Sequence, residues 1–322
     1  MKRIITHADF DGVVCAALCS KATGINYIMF TQPRLVAEAR ISITKDDIVC
    51  DLPYPLECGL WFDHHEGNLE ELKYRNIDPS EIKGEFALEE SCARVVFNYY
   101  QDMDFPDFYA GIVDEADMID AFNYHSIEDW RRTTPGKILD STIKLKEESA
   151  DIKWEFLRNL VRQLRDRPID KVANMPSVQK RYRIYKNEEE RMLKEIKQDA
   201  VFLEKDIERN LIILDTTQHN HRPNILKHLA YLVYPDALAV LQISNLYEHM
   251  TKTNHLSFSM SLSLNMTDNN HNKNVGDIMR TLNLGGGHPG AGAGTIHCSS
   301  KDEMLKTKDR IAHEIYDLFC EQ

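Results

Sequence analysis

The 322-residue chain has no apolar run of 18 residues or more, so no membrane-spanning helix is expected. It does not open on a basic segment followed by a long apolar stretch, and no signal peptide is expected. Residues 2–6 (KRIIT) read instead as a short buried strand. Seven cysteines stand at 15, 19, 50, 58, 92, 298 and 320, with no C-x-x-C pair among them. The odd count and scattered spacing argue against a disulfide framework or zinc knuckle, and for free thiols in a reducing, cytoplasmic setting. Positive charge is in deficit: 39 Lys and Arg against 51 Asp and Glu give a formal net charge of −12. That balance argues against a partner such as long duplex DNA. It leaves room for a phosphate substrate where bound cations supply local positive charge. No G-x-x-x-x-G-K-[ST] loop occurs, so the letters DEAD at 114–117 carry no helicase meaning.

What the chain does have is a core and a clear alternation of elements. Hydrophobic residues make up 43%. Strand-like runs at 2–6, 25–30, 46–52 and 59–65 alternate with helix-like segments at 12–23, 35–40 and 90–100. This pattern predicts an α/β fold with a mostly parallel sheet. From about 126 to 205 the chain turns helical and charged. Its basic cluster Lys180, Arg181, Arg183 and Lys186 reads as a solvated helix face before it reads as a polyanion site. Strand patterns return at 210–216, 237–244 and 255–264. A helix at 274–284, the glycine-rich run GGGHPGAGAG, a short strand at 295–298 and a last helix from about 300 follow. The polar stretch TDNNHNKN (267–274) reads as a loop. The expected organisation is an N-terminal domain at 1–125, a helical connector at 126–205 and a smaller C-terminal α/β domain at 206–322.

Polar residues crowd where strands should end. THADFDG (6–12) places His7, Asp9 and Asp11 at alternate positions, which an extended segment would project to one side. The alternative is a solvated turn with Asp11 capping the helix. CDLP adds Asp51, and WFDHH adds Asp63, His64 and His65. Adjacent histidines point different ways, and Asp63 is placed to orient a ring through its second nitrogen. GIVDEADMIDAF offers Asp114, Asp117 and Asp120, of which one need be a ligand. In a parallel sheet, ligands gather at the carboxyl ends of strands, where His7, Asp51 and Asp63 are expected. Four carboxylates and two histidines balance two divalent cations. Mixed oxygen and imidazole donors favour Mn²⁺, with Mg²⁺ as the alternative. In LGGGHPGAGAG, glycines let backbone N–H groups converge on an anion, with His288 and Arg280 adding donors.

THADFDG, CDLP, WFDHH and VDEAD, in that order, resemble the motifs of the DHH phosphoesterase superfamily. GGGHPGAGAG resembles the glycine-rich motif of the DHH-associated domain. The resemblance spans roughly 1–125 and 205–322 and is nearest the branch of oligoribonuclease-like and exopolyphosphatase-related proteins. It implies two Mn²⁺ ions: His7 and Asp9 on one, Asp11 and His64 on the other, Asp51 bridging. Asp117, or else Asp114, would complete the shell, and His65 would contact the scissile phosphate. The active site would lie in the cleft between domains, with Arg280, Gly285, Gly286, Gly287 and His288 gripping the far end of the substrate. The sequence departs from the family at FSMSLSLNM, where Ser263 stands near the place of an arginine. The expected activity is hydrolysis of phosphodiester bonds in short oligonucleotides or small nucleotides. Phosphoanhydride hydrolysis of polyphosphate, or nucleotide binding without catalysis, are the alternatives, and a homodimer is compatible with the sequence.

Overall fold

The computed structural model describes residues 2–145, 149–221, 224–249, 251–266 and 272–322. Most of the polar stretch expected as a loop at 267–274 lies outside the described residues. Among the described residues, no helix is long and apolar enough to cross a membrane. The chain divides into two compact units, Met1–Asn123 with Thr133–Lys186, and Tyr124–Arg132 with Asn187–Gln322.

The first unit is built on strands β1 (Ile4–His7), β2 (Ile28–Thr31), β3 (Ile48–Cys50), β4 (Leu60–Asp63) and β5 (Gly84–Phe86), in the order β2-β1-β3-β4-β5. Every pairing is parallel. The helix Phe10–Thr23 is apolar almost all round, with Val13, Val14, Ala16, Ala17 and Leu18 inaccessible to solvent. Such a helix must be covered on both sides. Ile4, Cys50 and Phe62 of the sheet, Val95 and Val96 of Cys92–Tyr99, and Leu157 and Val161 of Ala150–Asp166 share its core. It stops at Gly24, whose φ of 74° suits the left-handed cap. The chain turns from β2 back past β1 to β3, so the strand order reverses between β1 and β3. In open α/β sheets that reversal opens a crevice at the carboxyl ends of the strands.

The second unit holds β6 (Ala200–Val201), β7 (Leu211–Asp215), β8 (Ala239–Glu248), β9 (Thr251–Leu262), β10 (Gly285–His288) and β11 (Ala291–Ile296), in the order β10-β11-β9-β8-β7-β6. Only β7 and β8 pair in parallel. Period-two alternation gives this sheet two faces. Leu241, Ile243, Phe258 and Met260 pack under Ile278 and Met279 of Val275–Thr281 and Ile311 and Ile315 of Lys301–Glu321. On the other face Ile212, Leu214 and Val240 pack on Met192, Ile196 and Tyr231. That second face continues through Ser259 and Ser261 of β9 to Ala291 and Ala293 of β11 and Gly286 and His288 of β10. There it is exposed at Ala291, Ala293 and His288.

The stretch 126–205, expected as a connector, is shared out rather than standing as a body of its own. Helices Pro135–Ile143, Ala150–Asp166 and Ile169–Ala173 belong to the first unit and Ile127–Arg131 to the second, while Pro176–Asp199 runs from one into the other. Within it Arg181 is not a solvated cation. Its guanidinium lies 3.9 Å from the Phe156 ring and donates to the Thr142 carbonyl at 3.0 Å.

Candidate metal centre

His7 ends β1, Asp51 follows β3, and Asp63 ends β4, so three neighbouring strands deliver polar groups to one end of the sheet. His7 Nδ1 lies 2.6 Å from Asp9 Oδ2 and 3.5 Å from Asp51 Oδ2. Residues 7–11 are not extended throughout. The strand stops at His7 and the helix begins at Phe10, with Asp9 rather than Asp11 as its N-cap, accepting from the Gly12 N–H at 2.9 Å. Asp11 therefore arrives on a helical turn. Its buried carboxylate accepts from the N–H groups of Cys92 at 2.9 Å and Ala93 at 2.8 Å, the unpaired first donors of the helix Cys92–Tyr99. Gly12 is needed for close approach: a Cβ there would sit 2.3 Å from the His7 carbonyl oxygen.

Asp51 adopts a left-handed backbone with φ of 56° and donates its N–H to the Phe62 carbonyl at 3.0 Å. Such a conformation costs on the order of 1 kcal/mol and concentrates at functional positions. Its carboxylate is buried, and among the described residues Oδ2 has no hydrogen-bond partner. His64 Nδ1 lies 3.0 Å from the Glu89 carbonyl, and its Nε2 lies 3.2 Å from Asp120 Oδ2. His65 turns the other way, with Nδ1 2.9 Å from Asp63 Oδ1 and 3.7 Å from Asp51 Oδ1. Asp63 is fully buried and also accepts from Asn68 Nδ2 at 2.6 Å, which fixes the ring it holds.

These side chains form connected groups: His7, Asp9 and Asp51; Asp51, His64 and His65; Asp11, His64 and Asp120. Asp51 and His64 each belong to two of them. Electrostatics set the same problem at each. Burial, then the charges of Asp120 and Asp9, push the Asp11 carboxyl well up. Burial, then Asp9 and Asp11, do the same to Asp51. Burial acts to raise Asp9 too, but the hydrogen bond and charge of His7 with the Gly12 N–H hold it below the usual range. Burial opposes a charged His64, yet Asp120 and Asp11 push it up to about 9. A buried carboxylate oxygen without a hydrogen bond, among crowded like charges, fits divalent cations, which neutralise the cluster and accept oxygen and imidazole donors alike.

The fourth motif falls differently from the expectation. Asp117 accepts from Arg94 Nε at 2.8 Å and from the Ser91 hydroxyl at 2.6 Å, and Asp114 accepts from Arg94 Nη2 at 2.7 Å. The carboxylate beside Asp11 and His64 is Asp120, one turn further along the helix Phe108–Asp120.

The glycine run is likewise not an open loop but the hairpin β10–β11. Gly287 has φ of 152°, and a Cβ there would meet the Ala291 carbonyl oxygen at 2.3 Å, so close strand contact accounts for it. Arg280 braces that hairpin, donating to Asp277 at 2.6 Å and to the Gly287 carbonyl at 3.2 Å. His288 is exposed on the small-residue face. Lys227, which no sequence motif marks, reaches that face and donates to the Ser259 hydroxyl at 2.7 Å. Burial pushes its ammonium down to about 8.

The fold is that of the DHH phosphoesterases, with a parallel sheet carrying the acidic and histidine motifs and a second, mixed sheet. The chain is similar to a pGpG-specific phosphodiesterase, PggH from Vibrio cholerae, at a TM-score of 0.71 and 23% identity over 98% of this chain and 100% of that one. Exonuclease RecJ bound to manganese matches at a TM-score of 0.52 and 14% identity, over 97% and 89% of the two chains. A DHH domain described as belonging to a family of ribosomal proteins matches at 0.51 and 14%, over 98% and 85%. No family model and no curated protein sequence matches.

Proposed function

We propose that this protein is a divalent-metal-dependent phosphohydrolase that cleaves phosphodiester bonds in short oligonucleotides or small nucleotides. The observation that carries the reading is the buried Asp51 oxygen without a hydrogen-bond partner, set among Asp9, Asp11, His7, His64 and His65. His7, Asp9 and Asp51 would hold one cation, and Asp11, His64, Asp120 and Asp51 a second, with Mn²⁺ preferred. Bound cations of this kind acidify a water and neutralise phosphoryl oxygens. The chain's own residues supply position. The N–H groups of Cys92 and Ala93 lock Asp11. Asp63 keeps the proton of His65 on Nδ1, which leaves Nε2 of a half-exposed ring to meet the phosphate. In the second unit, the exposed His288 and the largely buried Lys227 place donor groups on one sheet face, suited to a phosphate. A chain of the same fold described as acting on pGpG makes a linear dinucleotide the first substrate to try.

The test is a panel of di- to pentanucleotides, cyclic dinucleotides and polyphosphate, assayed with Mn²⁺ for wild type and Asp51→Asn. Wild type should turn over the short nucleotides. Asp51→Asn should lose metal and at least about 10²-fold in rate, the scale of removing a principal electrostatic contributor. A variant that keeps two ions and near-normal turnover contradicts the two-cation site. Turnover of polyphosphate alone contradicts the substrate class.

A further inference from the structure

Away from the metal centre, the second unit has a cavity of about 410 Å³ between helices Ile127–Arg131, Pro176–Asp199 and Ala230–Val233. Its floor is apolar, made by Leu193, Leu232 and Val233. Its rim is charged. Glu190, Lys194 and Lys197 recur at three- and four-residue spacing along one stripe of Pro176–Asp199, and Arg131 joins them. All four rim side chains are exposed, and among the described residues none of the three cations forms an ion pair or hydrogen bond. Three cations against one carboxylate leave a surplus of two positive charges, in a chain whose formal net charge is −12. The volume falls in the range of small-molecule sites, roughly 300–1,000 Å³.

We propose that this cavity binds a nucleoside monophosphate. A phosphomonoester carries about −1.5 to −2 at neutral pH, which matches the surplus. Arg131, Lys194 and Lys197 take the phosphate oxygens, by charge-assisted hydrogen bonds. The base lies on the floor of Leu193, Leu232 and Val233, and Glu190 accepts from a base N–H or a ribose hydroxyl. A carboxylate on an alkyl chain would satisfy the floor but only half of the charge. Inorganic phosphate would satisfy the charge but leave the floor uncovered. The inference does not rest on the metal centre, because no residue of the cavity belongs to that unit.

The experiment is calorimetric titration of the full chain, with Mn²⁺ and again with EDTA, using guanosine 5′-monophosphate, guanosine, inorganic phosphate and dodecanoate as separate probes. The monophosphate should bind in both conditions, more tightly than each of the other three probes. The double change Lys194→Glu and Lys197→Glu should weaken it at least about tenfold, the loss expected for charge-assisted contacts. Asp51→Asn should leave the affinity measured in EDTA unchanged. Because the substituted lysines are exposed, the variant should keep its wild-type circular dichroism and its melting temperature. Equal affinity in the double variant, tighter binding of dodecanoate or inorganic phosphate, or no binding in EDTA would each overturn the assignment.

Discussion

At the scale of single residues, the centre turns on which carboxylate does which work. Asp120 stands with Asp11 and His64, whereas Asp117 is bound to Arg94 and Ser91. Asp120→Asn should therefore lower metal content and activity together. Asp117→Asn should leave metal content near wild type and lower stability by roughly 1 kcal/mol, the scale of one weakened hydrogen bond to a charged group. Metal analysis and urea melts of both variants separate the two roles, and the reverse pattern would restore Asp117 as the ligand. Lys227 makes a second residue-level case. Its ammonium titrates near 8 in the fold and near 10.4 in an unfolded chain. Between those values the unfolded state binds more protons, so this group makes stability rise with pH across about 8 to 10.4. Lys227→Met should abolish that rise in denaturation midpoints. A pH-stability curve identical to wild type would show that Lys227 is not the titrating group.

At the scale of elements, both sheets use close backbone approach to place side chains. The helix Phe10–Thr23 can follow β1 so tightly only because Gly12 has no Cβ facing the His7 carbonyl. The turn this creates lets Asp9 face His7 while Asp11 reaches the start of Cys92–Tyr99. The hairpin β10–β11 depends on the same device. Gly287→Ala meets both a φ of 152° and the Ala291 carbonyl at 2.3 Å. It should destabilise the second unit by about 1–3 kcal/mol, the cost of an unsuited backbone conformation. Native-state hydrogen exchange should show faster exchange in β9 and β11, with rates in β1 and β3 unchanged. Equal acceleration in both sheets would place the effect elsewhere.

At the scale of the whole molecule, the chain divides into two compact units, and the residues of the candidate metal centre lie in the first alone. A ligand that binds the folded state adds stability by mass action only where its binding site unfolds. Mn²⁺ should therefore raise the unfolding midpoint reported from the first unit and leave that of the second in place. The three tryptophans allow this to be read: Trp61 and Trp154 lie in the first unit and Trp130 in the second. Trp130→Phe should report a metal-dependent transition. The double change Trp61→Phe and Trp154→Phe should report a metal-independent one. A common shift in both would mean that the units unfold together through the continuous helix Pro176–Asp199.

The first four strands of the first unit, and the polar groups at the ends of β1, β3 and β4, are legible in the chain itself, whereas β5 and the helix Glu66–Tyr74 are not. Apolar runs of four or five residues fix strands locally, and the residue that breaks such a run stands at its end. Asp63 beside His65 was readable for the same reason, since both lie on one short segment. The choice of Asp120 over Asp117 was not. The two are three residues apart on one helix, and only the packing of Phe108–Asp120 beside Cys92–Tyr99 decides which meets Arg94 and which meets His64. The glycine run reads as a loop, because glycine carries no side-chain period, and only the pairing of β10 with β11 and of β11 with β9 makes it part of the sheet. Lys227 lies 32 positions from Ser259 and is a single cation in a short helical turn among Ile225, Leu226 and Leu229. Its role is set by the sheet it leans over, since burial and a distant partner are properties of the folded chain alone.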